Sequence, residues 1–409
     1  MASQKASGPP FNLIRELNKV LVLNEIRGGD PISRAEIARR TRLSRSTVSA
    51  IVSQLLAKDL IRERGMGVSQ GGRRPILLEF NPKAGFVVGL DIGATHLLVV
   101  VTDLEATILV TKEEPFSIEL GPENGLSQAV QLVKAALEQA TIPRDRVFGV
   151  GVGVPGPVDY DAGMVVSPPI MPGWDRVPIR DRLQKALGLP TYLDNDANLG
   201  ALGEFAHGAG KSVSNLAYIK AASGIGCGLI IDGRIHHGQR GYAGEIGHMT
   251  ISENGPPCRC GSFGCLESMA SGEAIVRRAQ AAIHAGQKTS LSGLRDQLSL
   301  AQIAKAAHQG DALSQQLFEE AGRHIGVALA GLINLLNPGR VIVGFGVDEA
   351  GSLLLNPLQH TVEARTMNGA ASDARIVLAQ LGRQGVAVGA VTLVLQQTFY
   401  SPAVDLASG

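Results

Sequence analysis

Four residues in one short stretch have the types and spacing to hold a metal. His248, Cys258, Cys260 and Cys265 read H-x9-C-x-C-x4-C and include three of the chain's four cysteines. Three thiolates and one imidazole complete the tetrahedral shell of a structural Zn²⁺ and leave no position open for catalysis. Gly255, Gly261 and Gly264, with Pro256 and Pro257, let the loop fold back tightly enough to aim the sulfurs at one point. Glu245 and Glu267 flank this set. A metal knuckle pinning both ends would hold two acceptor-only carboxylates beside an imidazole, which suits a polyhydroxylated ligand.

Three further stretches could do chemistry. In LDNDANLGALGEF, residues 193–205, a strand is predicted to end at Leu193 and a helix to begin at about Ala197. Asn195 and Asp196 then stand at a strand-to-helix junction, where side chains face a cleft. Asp196 can accept a proton from a sugar hydroxyl and Asn195 can hold a neighbouring one. Both residue types are also good helix caps, so capping is the plainer reading. Around Asp91, the sequence DIGAT lies in a turn between apolar strands. Backbone N–H groups there, with the Thr95 hydroxyl, can cradle phosphate, and Asp91 can hold Mg²⁺ through water. An ordinary hairpin reads the same way. Residues 222–228, ASGIGCG, form a second glycine-rich turn between apolar strands.

The elements that must position these residues begin with a separate head. From Phe11 to Ile26 apolar residues recur at helical spacing (Leu13, Ile14, Leu17, Val20, Leu21, Leu23), and Gly28-Gly29 ends the helix. Ser33 and Glu36 make a capping box for a second helix. After the turn Thr41-Arg42-Leu43, Ser44 caps a third, whose Val48, Ile51, Val52, Leu55 and Leu56 share a buried side. Two short helices, a tight turn and a longer helix are the pattern of a helix-turn-helix. Its third helix carries Ser44, Arg45, Ser46, Thr47 and Ser49 at the end that enters a major groove. Strands over 60–64 and 75–80 flank GMGVSQGGRR, a basic wing that places Arg73 and Arg74 near phosphate or minor groove.

Charge distribution agrees with that division. Residues 1–80 hold 14 Lys+Arg against 7 Asp+Glu, while the rest of the chain holds 24 against 30. A basic module joined to a mildly acidic body is the footprint of a nucleic-acid reader attached to something else. The apolar run from Phe86 to Leu104 is broken by Asp91, His96 and Asp103, so no membrane span is predicted. No apolar signal core opens the chain, and metal-type cysteines fit a reducing compartment, so a cytoplasmic location is expected. The expected fold class is α/β: a winged helix-turn-helix over 1–82, a first lobe over 83–196, and a second lobe over 197–409 with the zinc knuckle and a last helix. Two strand-rich halves, each with a glycine turn, imply a duplicated body closing on a cleft.

DIGAT at 91–95, GVGVPGPVD at 151–159, DNDAN at 194–198, EIGH at 245–248, CRCGSFGCLE at 258–267 and LNPGRVIVGFG at 336–346 together resemble the ROK family of repressors and sugar kinases, within the hexokinase/actin-like superfamily. The head, ending in GGRRP at 71–75, is similar to the family's repressor branch. The resemblance implies that Asn195, Asp196, Glu245, His248 and Glu267 contact sugar hydroxyls, with His248 also binding zinc. It implies that Asp91, Gly93, Thr95, Ser223, Gly224 and Gly226 meet ATP phosphates, and Gly344 and Gly346 the adenosine. The nucleotide side departs from the family pattern. Ala94 and His96 replace a glycine and a lysine of the usual DIGGTK, Ala222-Ser223 replace the start of GTGIG, and Phe345 interrupts a run of glycines. Each change adds bulk or removes charge where backbone should approach a nucleotide. The expected function is therefore a sugar-responsive repressor, a homodimer or homotetramer on operator DNA with a monosaccharide effector. The alternative is a sugar kinase using Mg-ATP with Asp196 as general base. A body that senses a protein partner is a third possibility.

Overall fold

Three helices open the structure, a computed structural model that describes residues 10–67, 74–294, 297–346, 350–367, 369 and 373–399. They are α1 (Pro10–Arg27), α2 (Arg34–Thr41) and α3 (Arg45–Ala57). Ser33 caps α2 by accepting from the Glu36 N–H at 3.2 Å, and Ser44 caps α3 by accepting from Thr47 N–H at 3.1 Å. Each satisfies a donor that the first helical turn leaves orphaned. Arg42 turns the chain between them in the left-handed region, φ 57°. Strands β1 (Ile32–Ser33), β2 (Ile61–Met66) and β3 (Ile76–Phe80) form a sheet in the order β1-β3-β2. The two-residue β1 carries no sequence signal of its own. The face of α1 also differs from the expectation. Val22, Leu23 and Ile26 are buried, whereas Ile14, Leu17 and Leu21 are 54%, 40% and 41% exposed. Only the last turns of α1 reach the head's core; the earlier ones run past it.

The body repeats one topology twice. The first sheet contains β4 (Phe86–Ile92), β5 (His96–Asp103), β6 (Ile108–Pro115) and β7 (Val147–Val154). A small hairpin, β8 (Val158–Asp159) with β9 (Met164–Val165), precedes its last strand, β10 (Thr191–Asn195). Helices α4 (Gly121–Gln139) and α5 (Ile179–Leu187) cover one face, and α6 (Asp196–His207) leaves β10 without a loop. The second sheet contains β11 (Leu216–Ala221), β12 (Ile225–Ile231), β13 (Arg234–Ile235), β14 (Arg340–Phe345) and β15 (Arg375–Leu378). Between β13 and β14 lie α7 (Leu266–Ala270), α8 (Gly272–His284), α9 (Leu300–His308) and α10 (Ala312–Leu336); α11 (Ala350–Arg365) precedes β15. The orders are β10-β7-β4-β5-β6 and β15-β14-β11-β12-β13. In each sheet the first three strands meander antiparallel, and the fourth and fifth pair parallel beyond the first. Such parallel pairs need helical crossovers, which places strand ends and helix starts at one cleft.

The last helix, α12 (Gly385–Phe399), comes back to the first sheet. Its approach is close enough to exclude side chains. A Cβ on Gly89 of β4 would lie 2.0 Å from the Ala387 carbonyl oxygen, and one on Gly151 of β7 would lie 2.0 Å from that of Ala390. A Cβ on Gly389 itself would lie 1.8 Å from the Leu199 carbonyl oxygen of α6. The outer end of α12 seats the head. Val391, Leu395 and Phe399 share one buried cluster with Val22, Ile26 and Phe80 of the head. The Arg27 guanidinium lies over the Phe80 and Phe399 rings, 5.0 and 5.5 Å from their centroids, and donates to the Leu104 carbonyl at 3.0 Å. Burial of this kind is the largest favourable term in docking, so the head is docked on the first lobe and α12.

Candidate functional site

The knuckle is a loop held open by its own backbone. Cys258 N–H donates to Ser262 O, Gly261 N–H to Cys258 O, and Gly264 N–H to Pro256 O. Gly264 takes φ 63°, and a Cβ there would lie 1.6 Å from the Ser252 carbonyl oxygen. His248, Cys258, Cys260 and Cys265 present ligand atoms that all lie within 4.8 Å of one another. The Cys260 and Cys265 sulfurs are 3.7 Å apart, as are the Cys258 sulfur and His248 Nδ1. Zn–S bonds of about 2.3 Å in a tetrahedron require sulfur–sulfur edges of about 3.8 Å, so the four donors fit this ion. Burial first, then the neighbouring sulfurs, push the Cys265 thiol up to about 12. A bound dication supplies the charge that lets such a thiol ionise.

His248 joins the knuckle to the cleft. Its Nδ1 faces the sulfurs, while its Nε2 lies 3.8 Å from Glu245 Oε2. Burial raises the Glu245 pKa above the ordinary value, opposed by His248 and reinforced by the charges of Asp196 and Glu267. Glu267, in the first turn of α7, accepts the Ile225 N–H at 2.9 Å. It thereby ties the glycine turn 222–226 to the same cluster, and a Cβ on Gly224 would lie 2.4 Å from its carboxylate. Asn195, Asp196, Glu245, His248 and Glu267 all line one cavity of about 1070 Å³. That lies at the top of the usual range for small-molecule sites, about 300–1,000 Å³.

Asn195 is also the cap of α6. Its Oδ1 accepts from Ala197 N–H at 2.8 Å and Asn198 N–H at 3.2 Å, and its Nδ2 donates to Gly156 O. One amide hydrogen is left for a ligand, so the capping reading of Asn195 stands beside the binding one. Asp196 Oδ2 accepts from the Lys220 ammonium at 2.5 Å. Lys220 has no counterpart in the sequence reading, because a lone lysine in a buried strand names no partner.

Asp194 and His237 were likewise unforeseen. Asp194, 1% exposed, accepts from Asn195 N–H at 2.7 Å and from Asn198 Nδ2 at 3.0 Å. Its other oxygen meets His237 Nε2 at 2.7 Å, and the His237 ring packs on Tyr160 at 5.2 Å. Burial lowers the His237 pKa, but the hydrogen bond and charge of Asp194 outweigh it and the net shift is upward. His237 starts the loop that carries Gly241 to Glu245 along the cavity. A histidine pKa raised by folding stabilises below its unfolded value of about 6.5, and that stability is lost as pH rises through the folded value. We therefore expect a melting-temperature difference between wild type and His237→Gln that is largest near pH 6 and shrinks as pH rises. A difference independent of pH would contradict the pairing.

The residues expected on the nucleotide side pack closely against the protein's own groups. Asp91, Thr95, Ser223, Gly224, Gly226, Gly344 and Gly346 line the cavity, whereas Gly93 does not. The His96 ring folds over Gly93, where a Cβ would lie 2.4 Å from it, and His96 Nε2 is 3.2 Å from Asp91 Oδ2. A Cβ on Gly344 would lie 2.5 Å from the Tyr218 hydroxyl, and one on Gly346 would lie 2.9 Å from Ala222 Cβ. These glycines make room for neighbouring residues as well as for any ligand. At Asp91 one carboxylate oxygen meets His96, and the other is buried with no hydrogen-bond partner among the described residues.

In the head, Arg45, Ser46 and Ser49 are exposed at the front of α3, and Thr47 is half-buried. The Ser44 hydroxyl is shared between the cap and the hydroxyls of Ser46 and Thr47, each at 2.8 Å. Arg74 is exposed; Arg73 lies outside the described residues. Among the described residues no helix is long and apolar enough to cross a membrane.

Comparison with known proteins agrees with both halves. Residues 87–397 match the ROK family, and residues 16–74 match the MarR family. A putative xylose repressor of Caldicellulosiruptor sp. (strain Rt8B.4) is 32% identical over 95% of this chain and 98% of its own. A solved ROK family transcriptional regulator, described as a homolog of the E. coli MLC protein, superposes with a TM-score of 0.81 at 27% identity, covering 95% of this chain and 97% of that one. A ROK family glucokinase from Streptomyces griseus, solved with glucose and AMPPNP, has a TM-score of 0.68 at 32% identity, covering 76% of this chain and 99% of that one. The kinase lacks a counterpart to about a quarter of this chain, whereas the regulator spans head and body alike. With its knuckle, its duplicated lobes and its winged head, the chain belongs to the ROK family.

Proposed function

We propose that the protein is a sugar-responsive transcriptional repressor. The winged head grips operator DNA through the front of α3 and the wing, and a monosaccharide in the interlobe cavity alters that grip. One observation carries the reading: α12 seats the head at its Phe399 end, while Val386 at its other end lines the cavity. Ligand closure of the lobes then shifts the heads of a two-fold pair relative to their half-sites. A homodimer or homotetramer is the assembly this requires. Zn²⁺ on the knuckle shapes the sugar side, where Asp196, Glu245 and Glu267 accept hydroxyl protons and His248 Nε2 donates.

A melting-temperature screen with glucose, N-acetylglucosamine, mannose and xylose tests the binding step, since a specific ligand stabilises the folded state by mass action. A sugar that raises the melting temperature in wild type and not in Asp196→Asn supports the reading. No shift with any carbohydrate would sink it. The likeness to a glucokinase supplies the second reading, phosphate transfer with Asp196 as base. ADP release that depends on sugar and vanishes in Asp196→Asn would establish that reading instead.

A further inference from the structure

Lys220 is the one described basic residue that reaches the Asp196 carboxylate, and it does so from the opposite lobe. It lies on β11 of the second sheet, whereas Asp196 begins α6 at the end of the first. Its cross-strand neighbours are Gly226 on β12 and Gly344 on β14, so neither carries a side chain beside it. The lysine side chain is 20% exposed and that of Asp196 11%. Asp91, on β4 of the first lobe, is 2% exposed. Its Oδ2 faces His96, and its Oδ1 is buried with no hydrogen-bond partner among the described residues.

Asp196 and Asp91 both line this cleft, and Lys220 meets the first of them directly. Buried anions left without a positive partner carry a large desolvation penalty. Burial alone would lower the Lys220 pKa, yet the charges of Asp196 and then Asp91 raise it above the ordinary lysine value. The Lys220 ammonium therefore stays charged in its contact with Asp196. A compact ammonium with three donors can hold Asp196 and still offer hydrogens to a ligand oxygen. A divalent metal drawn to the same two carboxylates would meet a fixed positive charge at close range, a repulsion that the low-dielectric cleft strengthens.

We propose that the Lys220 ammonium is the resident cation of this cleft: it neutralises Asp196 in place of a divalent metal, so the pocket takes neutral sugars and turns away magnesium-bound nucleotide. Lys220 is then a specificity-determining residue. A sugar can bridge the pair, one hydroxyl donating to Asp196 and its neighbour accepting from Lys220, which makes recognition span both lobes. This rests on the sugar-sensing reading for what the pocket accepts, but its test needs no sugar.

The test is Mn²⁺ binding, read by water-proton relaxation, on full-length protein saturated with zinc beforehand. Wild type should show only weak surface binding, and no heat with Mg²⁺ plus AMPPNP. Lys220→Met should gain a Mn²⁺ site at least about tenfold tighter, Lys220→Arg should not, and Asp91→Asn added to Lys220→Met should remove the gain. Should Lys220→Met fail to bind operator, Lys220→Gln carries the same comparison. Micromolar Mn²⁺ or nucleotide binding by wild type, or no gain on removing the lysine charge, overturns the proposal. Operator response to sugar, followed on the same wild-type sample, reports the sensor reading separately, so either can fail alone.

Discussion

Replacing Cys265 by serine is expected to strip the knuckle of metal and to weaken sugar binding roughly 100-fold, the scale on which losing a supporting shell disables a site. Cys265 is fully buried, and its backbone and that of Thr250 bridge the two ends of the loop. Its loss leaves three donors where a closed structural site needs four. His248 then has nothing to fix its Nδ1, and its Nε2 no longer aims at Glu245. Grip on the operator without sugar should survive, because the head is seated on the first lobe and α12. Metal analysis should fall from about one zinc per chain to almost none. A variant that keeps both its zinc and its sugar affinity would show that the knuckle does not shape the pocket.

The second large effect is expected at Gly389. An alanine methyl there would stand 1.8 Å from the Leu199 carbonyl oxygen, a contact that backbone on both sides must move to relieve. Overpacking of this kind costs about 3 kcal/mol when neither neighbour can give. Both neighbours here are helices: α6 carries Asp196 at its start, and α12 carries the seat of the head. Gly389→Ala should therefore lower the melting temperature and blunt the response of operator binding to sugar. Gly29→Ala, where an added Cβ meets nothing within 4 Å, is the control. Equal melting temperatures for the two variants would mean that α6 and α12 are free to slide.

Some of this was legible from residue types alone. Thiols and an imidazole at knuckle spacing have few uses, so the metal cluster could be read before any fold was known. The caps Ser33 and Ser44 were legible because a short polar side chain before an apolar period has one common role, but the Glu36 carboxylate expected to close a box with Ser33 bonds Arg39 and Arg40 instead. Glycine was readable in position but not in purpose. It says that a Cβ does not fit, and only the structure names the occupant: Tyr218 over Gly344, Ala222 against Gly346, the Glu267 carboxylate beside Gly224.

Long-range pairs were not legible at all. Lys220 meets Asp196 across 24 residues and His237 meets Asp194 across 43, and nothing local marks either partner. The return of α12 to the first sheet is hidden for the same reason. Its sequence is apolar all round, which states that it is buried and not where. On α1 the apolar spacing was real, but spacing cannot tell which turns find a core and which, like those of Ile14 and Leu17, remain outside it.

Operator affinity, measured by fluorescence anisotropy on a labelled duplex with and without each sugar, tests the coupling itself. At least one monosaccharide should change wild-type affinity about tenfold, a coupling of about 1.4 kcal/mol, and leave Asp196→Asn unmoved. Affinity that no carbohydrate alters, or a variant that responds as fully as wild type, would contradict the account.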